Sequence, residues 1–406
     1  MHVIFVEPAF PSNQREFVRG LHNAGAQVTA IGEAAYEALD SEIRSWIHGY
    51  EQVRSVVHEP SVLEAVQTIQ QREWVDRLEA TVEAHILPIA HVREKCQIPG
   101  TSVRTAYLCR DKVAMKEALR AADIPCAQSA SAETEAEVHD FVAKVGYPII
   151  LKPRGGAGAS GTHRVSSDGE LTHAISEIGL GKGLSIALEE FIEGHEGFYD
   201  TLTVNGKIHH DFATHYYPNV LEAMRTRSVS PYFITTNRLD APSYDEVKEL
   251  GRKVIEALGI ETSATHMEWF FGPKGLKFSE IGCRPPGVGA WDVYCAANDF
   301  DLYTDWALAV SEGRTAQRPS RAYSCAMLAL RPDQEGQIVA YDGVDEILAR
   351  FGENIVAHRF PPVGSRTGGV EGGYMANAWM RVKHADYDEL RKILSTISNT
   401  IRIYAR

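Results

Sequence analysis

The sequence predicts an α/β chain that opens as a parallel strand–helix layer and continues into an α+β body. Three observations carry this. Residues 2–6 are a short β-branched run, 13–24 space Phe17, Val18 and Leu21 as a helix does, and 26–31 are apolar again. That is the strand–helix–strand opening of a parallel sheet. Further on, Asn205–Gly206 and Gly272–Pro273–Lys274–Gly275 are hairpin signals, so antiparallel pairs follow the parallel layer. The length, 406 residues, calls for two or three domains with large cores.

The elements follow in order. Pro8, Pro11 and Ser12 turn the chain out of the first strand. That turn lacks the GxGxxG glycines that let a backbone approach a dinucleotide pyrophosphate, which disfavours a nicotinamide-type site. Residues 51–96 alternate helix and strand signals up to the loop Ile98–Pro99–Gly100. A helix at 111–122 opens on Asp111 as N-cap or first-turn acid and stops at Asp123–Ile124–Pro125. An amphipathic helix at 133–145 closes on Gly146, and the strand 147–153 (YPIILKP) runs directly into RGGAGASG at 154–161. Another strand begins near Thr162. A helix at 168–178, a strand at 185–192, a helix at 243–258, a hairpin at 264–282 and a helix at 299–312 come next. The tail, 320–406, alternates short elements around Thr367–Gly368–Gly369 and ends in a helix at 386–398. With no repeat and no low-complexity linker, the domains are expected to share one body.

Composition removes several function classes. The formal net charge is −13, with 44% hydrophobic and 23% charged residues, as in ordinary soluble globular proteins. Such a chain repels a phosphate backbone over most of its surface, so nucleic-acid binding is disfavoured, whereas a small phosphate ligand needs only a few local lysines. Six scattered cysteines form no CxxC or Cys/His pattern, so neither zinc nor a disulfide framework is legible and a reducing cytosol is expected. MHVIFVEPAF reads as a strand rather than a leader, no apolar run approaches 18 residues, and no membrane role is expected.

Two segments carry chemistry. Lys152 precedes a loop rich in glycine (Gly155, Gly156, Gly158, Gly161, with Ser160), whose N–H groups can cup phosphate oxygens beside a lysine point charge. No GK[ST] ends it, so it is not a Walker A loop, and a glycine-rich surface loop beside a chance lysine is common. In the hairpin, His266, Glu268 and Phe270 share one face, as do Phe278, Glu280 and Gly282. A loop with an odd residue count, such as 272–276, sets Glu268 opposite Glu280. An even turn puts the two acids on opposite faces. Opposed carboxylates repel and need a cation or proton; oxygen-only ligands point to Mg²⁺ or Mn²⁺ bridging to substrate phosphates. Arg284, before Pro285–Pro286–Gly287, offers a forked cation to a carboxylate or a transferring phosphoryl group, or makes a structural ion pair. Residues 188–194 (LEEFIEG) leave a strand and turn at glycine, where backbone groups can pair an adenine edge while Glu196 takes ribose hydroxyls.

In order, these motifs are Asp111–Lys112 opening a helix, Ile124–Pro125, YPIILKP with its glycine loop, EEFIEG at 189–194, His266–x–Glu268 and EIGCRPPG at 280–287. The set resembles the ATP-grasp superfamily over nearly the whole chain, and the EIGxRPPG variant resembles its amino-acid ligase and carboxylate–amine ligase branch. The resemblance implies a Rossmann-like preATP-grasp domain at 1–108 and a two-lobed ATP-grasp domain at 109–314 (small lobe about 125–190). A C-terminal lobe like that of biotin carboxylases follows at 315–406. It implies ATP as cofactor with Mg²⁺ (or Mn²⁺). Lys112 and Lys152 match the two phosphate-binding lysines, 154–161 the phosphate lid, and Glu190 and Ile192, with Glu189 beside them, the adenine hinge. Glu196 matches a ribose contact, Glu268 and Glu280 the metal carboxylates, and Arg284 the arginine facing the acyl phosphate. One departure stands out. Many members carry Asn as a third metal ligand where this chain has Gly282, so water or a phosphate oxygen fills that position or metal affinity drops.

The implied chemistry is ATP-dependent ligation in the cytoplasm. A small-molecule carboxylate is activated as an acyl phosphate and captured by an amine, less often a thiol, with amino-acid or peptide-like substrates expected. No protein nucleophile is needed, so Cys283 is read as a packing residue. Family habit implies a homodimer. Residues 215–238 would border the acceptor site; there Arg225 and Arg227 bind a substrate carboxylate or are surface charge, and His266 assists amine deprotonation or is structural. Two rivals stand beside this reading. A biotin-carboxylase-type enzyme activating bicarbonate is disfavoured by PPGVGA after Arg284 and by the lack of a biotinyl Met-Lys-Met acceptor. A degenerate nucleotide-binding protein has only Gly282 in its favour.

Overall fold

The computed structural model describes residues 1–153, 161–180 and 185–406. His2–Val6 is buried along its whole length and pairs in parallel with Gln27–Gly32 on one side and Arg77–Glu79 on the other. Gly49–Gln52 extends the edge, so the opening layer is a four-stranded, all-parallel sheet. Such a sheet needs cover on both faces. Helix Gln14–Asn23 buries Phe17, Val18 and Leu21, as their spacing predicts. Phe17 also packs edge-on against Trp306, 5.0 Å between centroids, and lies 4.9 Å from Trp291. A Cβ on Gly20 would stand 2.5 Å from the Tyr303 carbonyl oxygen, so this helix must meet helix Leu302–Glu312 with no side chain between them. The layer therefore shares a core with the body behind it.

A second sheet, antiparallel, runs in the order Ser129–Ala132, Ile186–Glu190, Ile149–Pro153, His163–Val165. Helices Glu135–Val145 and Asp168–Ile178 cover one face through Val138, Phe141, Leu171 and Ile175. Thr134 and Glu137 form a reciprocal capping box that fixes where the first of these helices starts.

The third sheet is antiparallel and has eight strands. Its order is Gly275–Gly282, Ser263–Gly272, His195–Val204, Lys207–Tyr217, Tyr232–Thr235, Ser324–Leu330, Ala378–His384, Ile355–Arg359. The boundary expected near 314 falls between strands of this one sheet, because Ser324–Leu330 pairs directly with Tyr232–Thr235. The helix expected at 299–312 is Leu302–Glu312, and a further helix, Ala290–Asn298, precedes it where the sequence suggested none. Helix Ala290–Asn298 carries Trp291, Val293, Tyr294 and Ala297 buried in the shared core, so it shows no polar face for periodicity to reveal. Among the described residues no helix is long and apolar enough to cross a membrane.

Candidate active site

The hairpin Ser263–Gly272 and Gly275–Gly282 turns through two residues only, with Gly272 opposite Gly275 and Phe271 opposite Leu276. That is the even turn, which alone would separate Glu268 from Glu280. A bulge at Ser279 shifts the register by one, and Glu268 lies opposite Glu280 after all. The opposed pair comes from the bulge and not from the odd loop expected. The tip is held by close backbone contact: a Cβ on Gly272 would lie 2.0 Å from the Glu193 carbonyl oxygen, and one on Gly194 (φ +154°) would lie 2.5 Å from that of Phe271. Lys274 in the turn also pairs with the Glu190 carboxylate. The 263–282 hairpin and the 190–194 segment thus pack directly against each other.

Lysines converge on it from two other elements. Lys112, first residue of helix Lys112–Ala121 behind the Asp111 cap, sets Nζ 3.0 Å from Glu280 Oε2. Lys152 on strand Ile149–Pro153 lies 2.9 Å from Glu189 Oε2 and 3.9 Å from Glu280 Oε2. Lys116, one helical turn after Lys112, is fully buried and pairs with the other Glu189 oxygen. Glu189 therefore bridges two lysines. Burial lowers Lys116 to about 8, partly offset by Glu189. For Lys152, burial is outweighed by Glu189 and Glu280, which hold it above its ordinary value. Burial alone would raise Glu280, yet Lys112 and Lys152 bring it down to about 2. Glu196 goes the other way, pushed up by burial and by Glu268, although it accepts the Val220 N–H at 2.6 Å.

A second chain of contacts supports the far side. His266 Nδ1 donates to Asp200 Oδ1 at 2.8 Å, and Tyr294 donates to Asp200 Oδ2 at 2.5 Å. His266 Nε2 stands 3.7 Å from Glu268 Oε1. Burial would lower this imidazole, but Asp200 and Glu268 raise it to about 9, a charged histidine oriented by its neighbours. Arg284 Nε donates to Glu83 Oε2 at 2.7 Å, and Arg110 donates to the other oxygen at 3.0 Å, so a residue of the opening layer braces the arginine. Gly282 leaves room for this, since a Cβ there would lie 3.2 Å from Glu83 Oε2 and 3.4 Å from Arg284 Nε. Cys283 is buried beside Cys109, whose thiol is pushed up by its hydrogen bond with Cys283 and by burial.

Two cavities meet at Glu268 and Glu280. One, about 470 Å³, lies between the two antiparallel sheets, with Lys152, Glu196 and Arg225 at its walls and Ile150, Ile192 and Phe270 as apolar lining. The N–H of Ile192 finds no partner among the described residues, while those of Glu190 and Phe191 donate to Gln128 and Pro148. The other, about 390 Å³, is lined by Glu83, His266, Arg284, Tyr216 and Tyr374, with Phe17 and Pro11 from the opening layer. A flat heterocycle with a phosphate tail suits the first; a small polar molecule presenting a reactive group at the two glutamates suits the second.

The sequence-predicted residues distribute as follows. Lys112, Lys152, Glu189, Glu190, Ile192, Glu196, Glu268 and Glu280 converge around the first cavity, and His266 and Arg284 enter the second. Arg225 lines the first cavity and donates to the Thr162 carbonyl at 2.8 Å. Arg227 is turned to Glu335 and lines neither. Gly155, Gly156 and Ser160 lie outside the described residues. Lys116, Glu83, Asp200 and Tyr374 escaped the sequence reading. Only Lys116 left a trace, as a second lysine one turn along the same helix.

For a divalent cation the donor chemistry fits. Glu268 and Glu280 are hard oxygen donors opposed on adjacent strands, an arrangement that repels itself unless positive charge is held between them. Among the described residues no group of three or more His, Cys, Asp or Glu side chains is arranged as a metal site, so the pair would hold such an ion with oxygens from elsewhere.

With the parallel layer, the two antiparallel sheets and the lysine–glutamate cleft described, the likeness is clear: residues 117–300 match the ATP-grasp domain family. Over its full length the chain superposes on the L-amino acid ligase from Bacillus licheniformis with a TM-score of 0.78, covering 98% of that chain at 16% identity, which shows a common fold. It is 30% identical over 224 residues to an L-arginine-specific L-amino acid ligase of Bacillus subtilis, 53% of this chain and 52% of that one. It is 24% identical over 321 residues to an alanine–anticapsin ligase of Bacillus subtilis strain 168, 69% of this chain and 65% of that one. The chain thus spans between half and two thirds of the length of these curated relatives.

Proposed function

We propose that this protein is an ATP-dependent carboxylate–amine ligase that joins amino-acid or peptide-like substrates. The observation that carries the reading is the opposed pair Glu268 and Glu280, set by the Ser279 bulge where a nucleotide-sized cavity meets a second, smaller one. Likeness to the two curated ligases supports the substrate class. In this reading 1–108, 109–314 and 315–406 are the three lobes of a cytoplasmic enzyme, a homodimer by family habit.

The backbone of Glu190 and Ile192 would read the adenine edge, Glu196 a ribose hydroxyl, and Lys112 and Lys152, with Gly155, Gly156 and Ser160, the phosphates. Glu268 and Glu280 would hold Mg²⁺ or Mn²⁺, which when bound neutralises phosphate charge. A substrate carboxylate oxygen bonds to the γ-phosphorus as the bond to ADP breaks. The amine nitrogen then bonds to the acyl carbon, phosphate departs with the C–O electron pair, and the amine proton passes to phosphate or water. Arg284, fixed by Glu83, faces the developing oxyanion, and Lys152 counters charge on the transferred group. His266, charged and held by Asp200, orients Glu268. The cleft between lobes keeps water from the activated acyl group.

Glu280→Gln tests the assignment. Turnover is expected to fall at least about a hundredfold while adenine-dependent ATP binding persists, as phosphate-release assays beside nucleotide titration would read. A fully active variant would overturn the role of the hairpin.

A further inference from the structure

Arg164, on the edge strand His163–Val165, lines the first cavity as an exposed rim residue. Its guanidinium carbon lies 4.4 Å from the centre of the Phe191 ring, and Phe191 lines the same cavity. Among the described residues the guanidinium pairs with no carboxylate, so an aromatic face is what holds it. Strand register sets the level at which it stands. Arg164 pairs with Ile150, and Ile150 pairs with Glu189, so the three form one row across the small sheet. Phe191 comes two residues after Glu189, beside the unpaired N–H of Ile192. The contact between Arg164 and Phe191 therefore bridges the two strands that flank Ile150. Lys152 lies two residues beyond Ile150, about 7 Å at the rise of a strand. Arg225 belongs to that far level, since it bonds to the Thr162 carbonyl, two residues before Arg164. Arg164 thus stands at the apolar end of the cavity and not at the lysine end.

We propose that Arg164, laid on Phe191, is a specificity-determining residue for the nucleobase: its guanidinium plane covers the base and favours a purine over a pyrimidine. This rests on the nucleotide reading of the first cavity and narrows it to the base. The chemistry of the side chain suits the task. A guanidinium is flat, delocalised and weakly hydrated, so it stacks on a ring, whereas an ammonium is a compact, strongly hydrated point charge. The face of a base attracts such a cation, more strongly once the base has displaced water from it. Two fused rings offer a larger face than one, so the contact selects by the size of the ring system. The hydrogen-bonding edge is left to the hinge backbone. A cation meant for phosphate charge would stand at the Lys152 level and would need no aromatic platform.

The test is calorimetric binding, with Mg²⁺ present, of three probes to wild type, Arg164→Met and Arg164→Lys. The probes are a non-hydrolysable ATP analogue, the matching CTP analogue and inorganic tripolyphosphate. Wild type is expected to bind the adenine analogue at least about tenfold more tightly than the cytosine one. Both variants should lose about fivefold in affinity for the adenine analogue, less for the cytosine analogue and nothing for tripolyphosphate, with an unchanged unfolding midpoint. An equal loss for tripolyphosphate would show that the charge serves the phosphates and would overturn the inference. So would full affinity for the adenine analogue in the lysine variant, or equal binding of both bases by wild type. These outcomes leave the nucleotide reading intact. Wild type that binds tripolyphosphate and neither nucleotide would overturn the nucleotide reading and the inference together.

Discussion

Among single residues, Glu189 does more than its place in the hinge motif suggests. Its two carboxylate oxygens are taken by Lys116 and Lys152, so it neutralises one lysine that never meets solvent and positions another at the cleft. Removing it strips the buried Lys116 of its partner and leaves Lys152 only the more distant Glu280, 3.9 Å away, whereas removing Lys116 leaves Glu189 still paired with Lys152. Glu189→Ala is accordingly expected to cost about 3–5 kcal/mol in urea unfolding and to raise KM for ATP, with Lys116→Met clearly milder. The reverse ranking would contradict the bridging role. The structure brings Lys112, Lys152, Glu268, Glu280 and Arg284 to the two cavities, and their grouping was readable because each sits inside a short ordered motif. Glu83 and Asp200 were not, because their meaning comes from contacts across 201 and 66 positions of chain that no local pattern encodes. Arg227 shows the converse. An arginine in the right segment was drawn away by Glu335, a partner more than 100 residues distant.

The site depends on one irregular element. Alternation along the hairpin strands was readable, but their register was not, since a two-residue turn and a bulge at Ser279 together produce the pairing that a longer loop would produce without a bulge. Periodicity of two counts residues and cannot see one that is left out of the ladder. Helix Ala290–Asn298 escaped for a related reason, being apolar on nearly every side because the shared core surrounds it. The contact of the hairpin tip with the hinge makes a specific prediction. In Gly272→Ala the new Cβ would overlap the Glu193 carbonyl, so hairpin and hinge must separate. KM for ATP should rise at least about tenfold with stability down by about 1–3 kcal/mol, read by nucleotide titration and thermal unfolding. Unchanged ATP affinity would show that the two elements are not coupled.

At the scale of the whole molecule, the parallel layer, the small sheet and the eight-stranded sheet enclose one pair of cavities. The opening layer contributes Glu83 and Phe17 to the second cavity. The tail contributes three strands to the large sheet and Tyr374 to the same cavity. One shared body was expected from the lack of a linker or repeat, and the structure has one sheet running across the boundary expected near 314. That crossing was not readable, because it depends on pairing between distant strands. A net charge of −13 coexists with a lysine-lined cleft because Lys112, Lys116, Lys152 and Arg284 are gathered there, each paired with a glutamate of the same cleft. The central claim, that this cleft couples a carboxylate to an amine at the expense of ATP, is tested most directly by phosphate release from MgATP with paired pools of carboxylic and amino acids, followed by mass analysis of products. The account predicts release only when both partners are present, with a product of their summed mass less one water. ATP binding with no release from any pair, or release that needs bicarbonate and biotin instead, would contradict it.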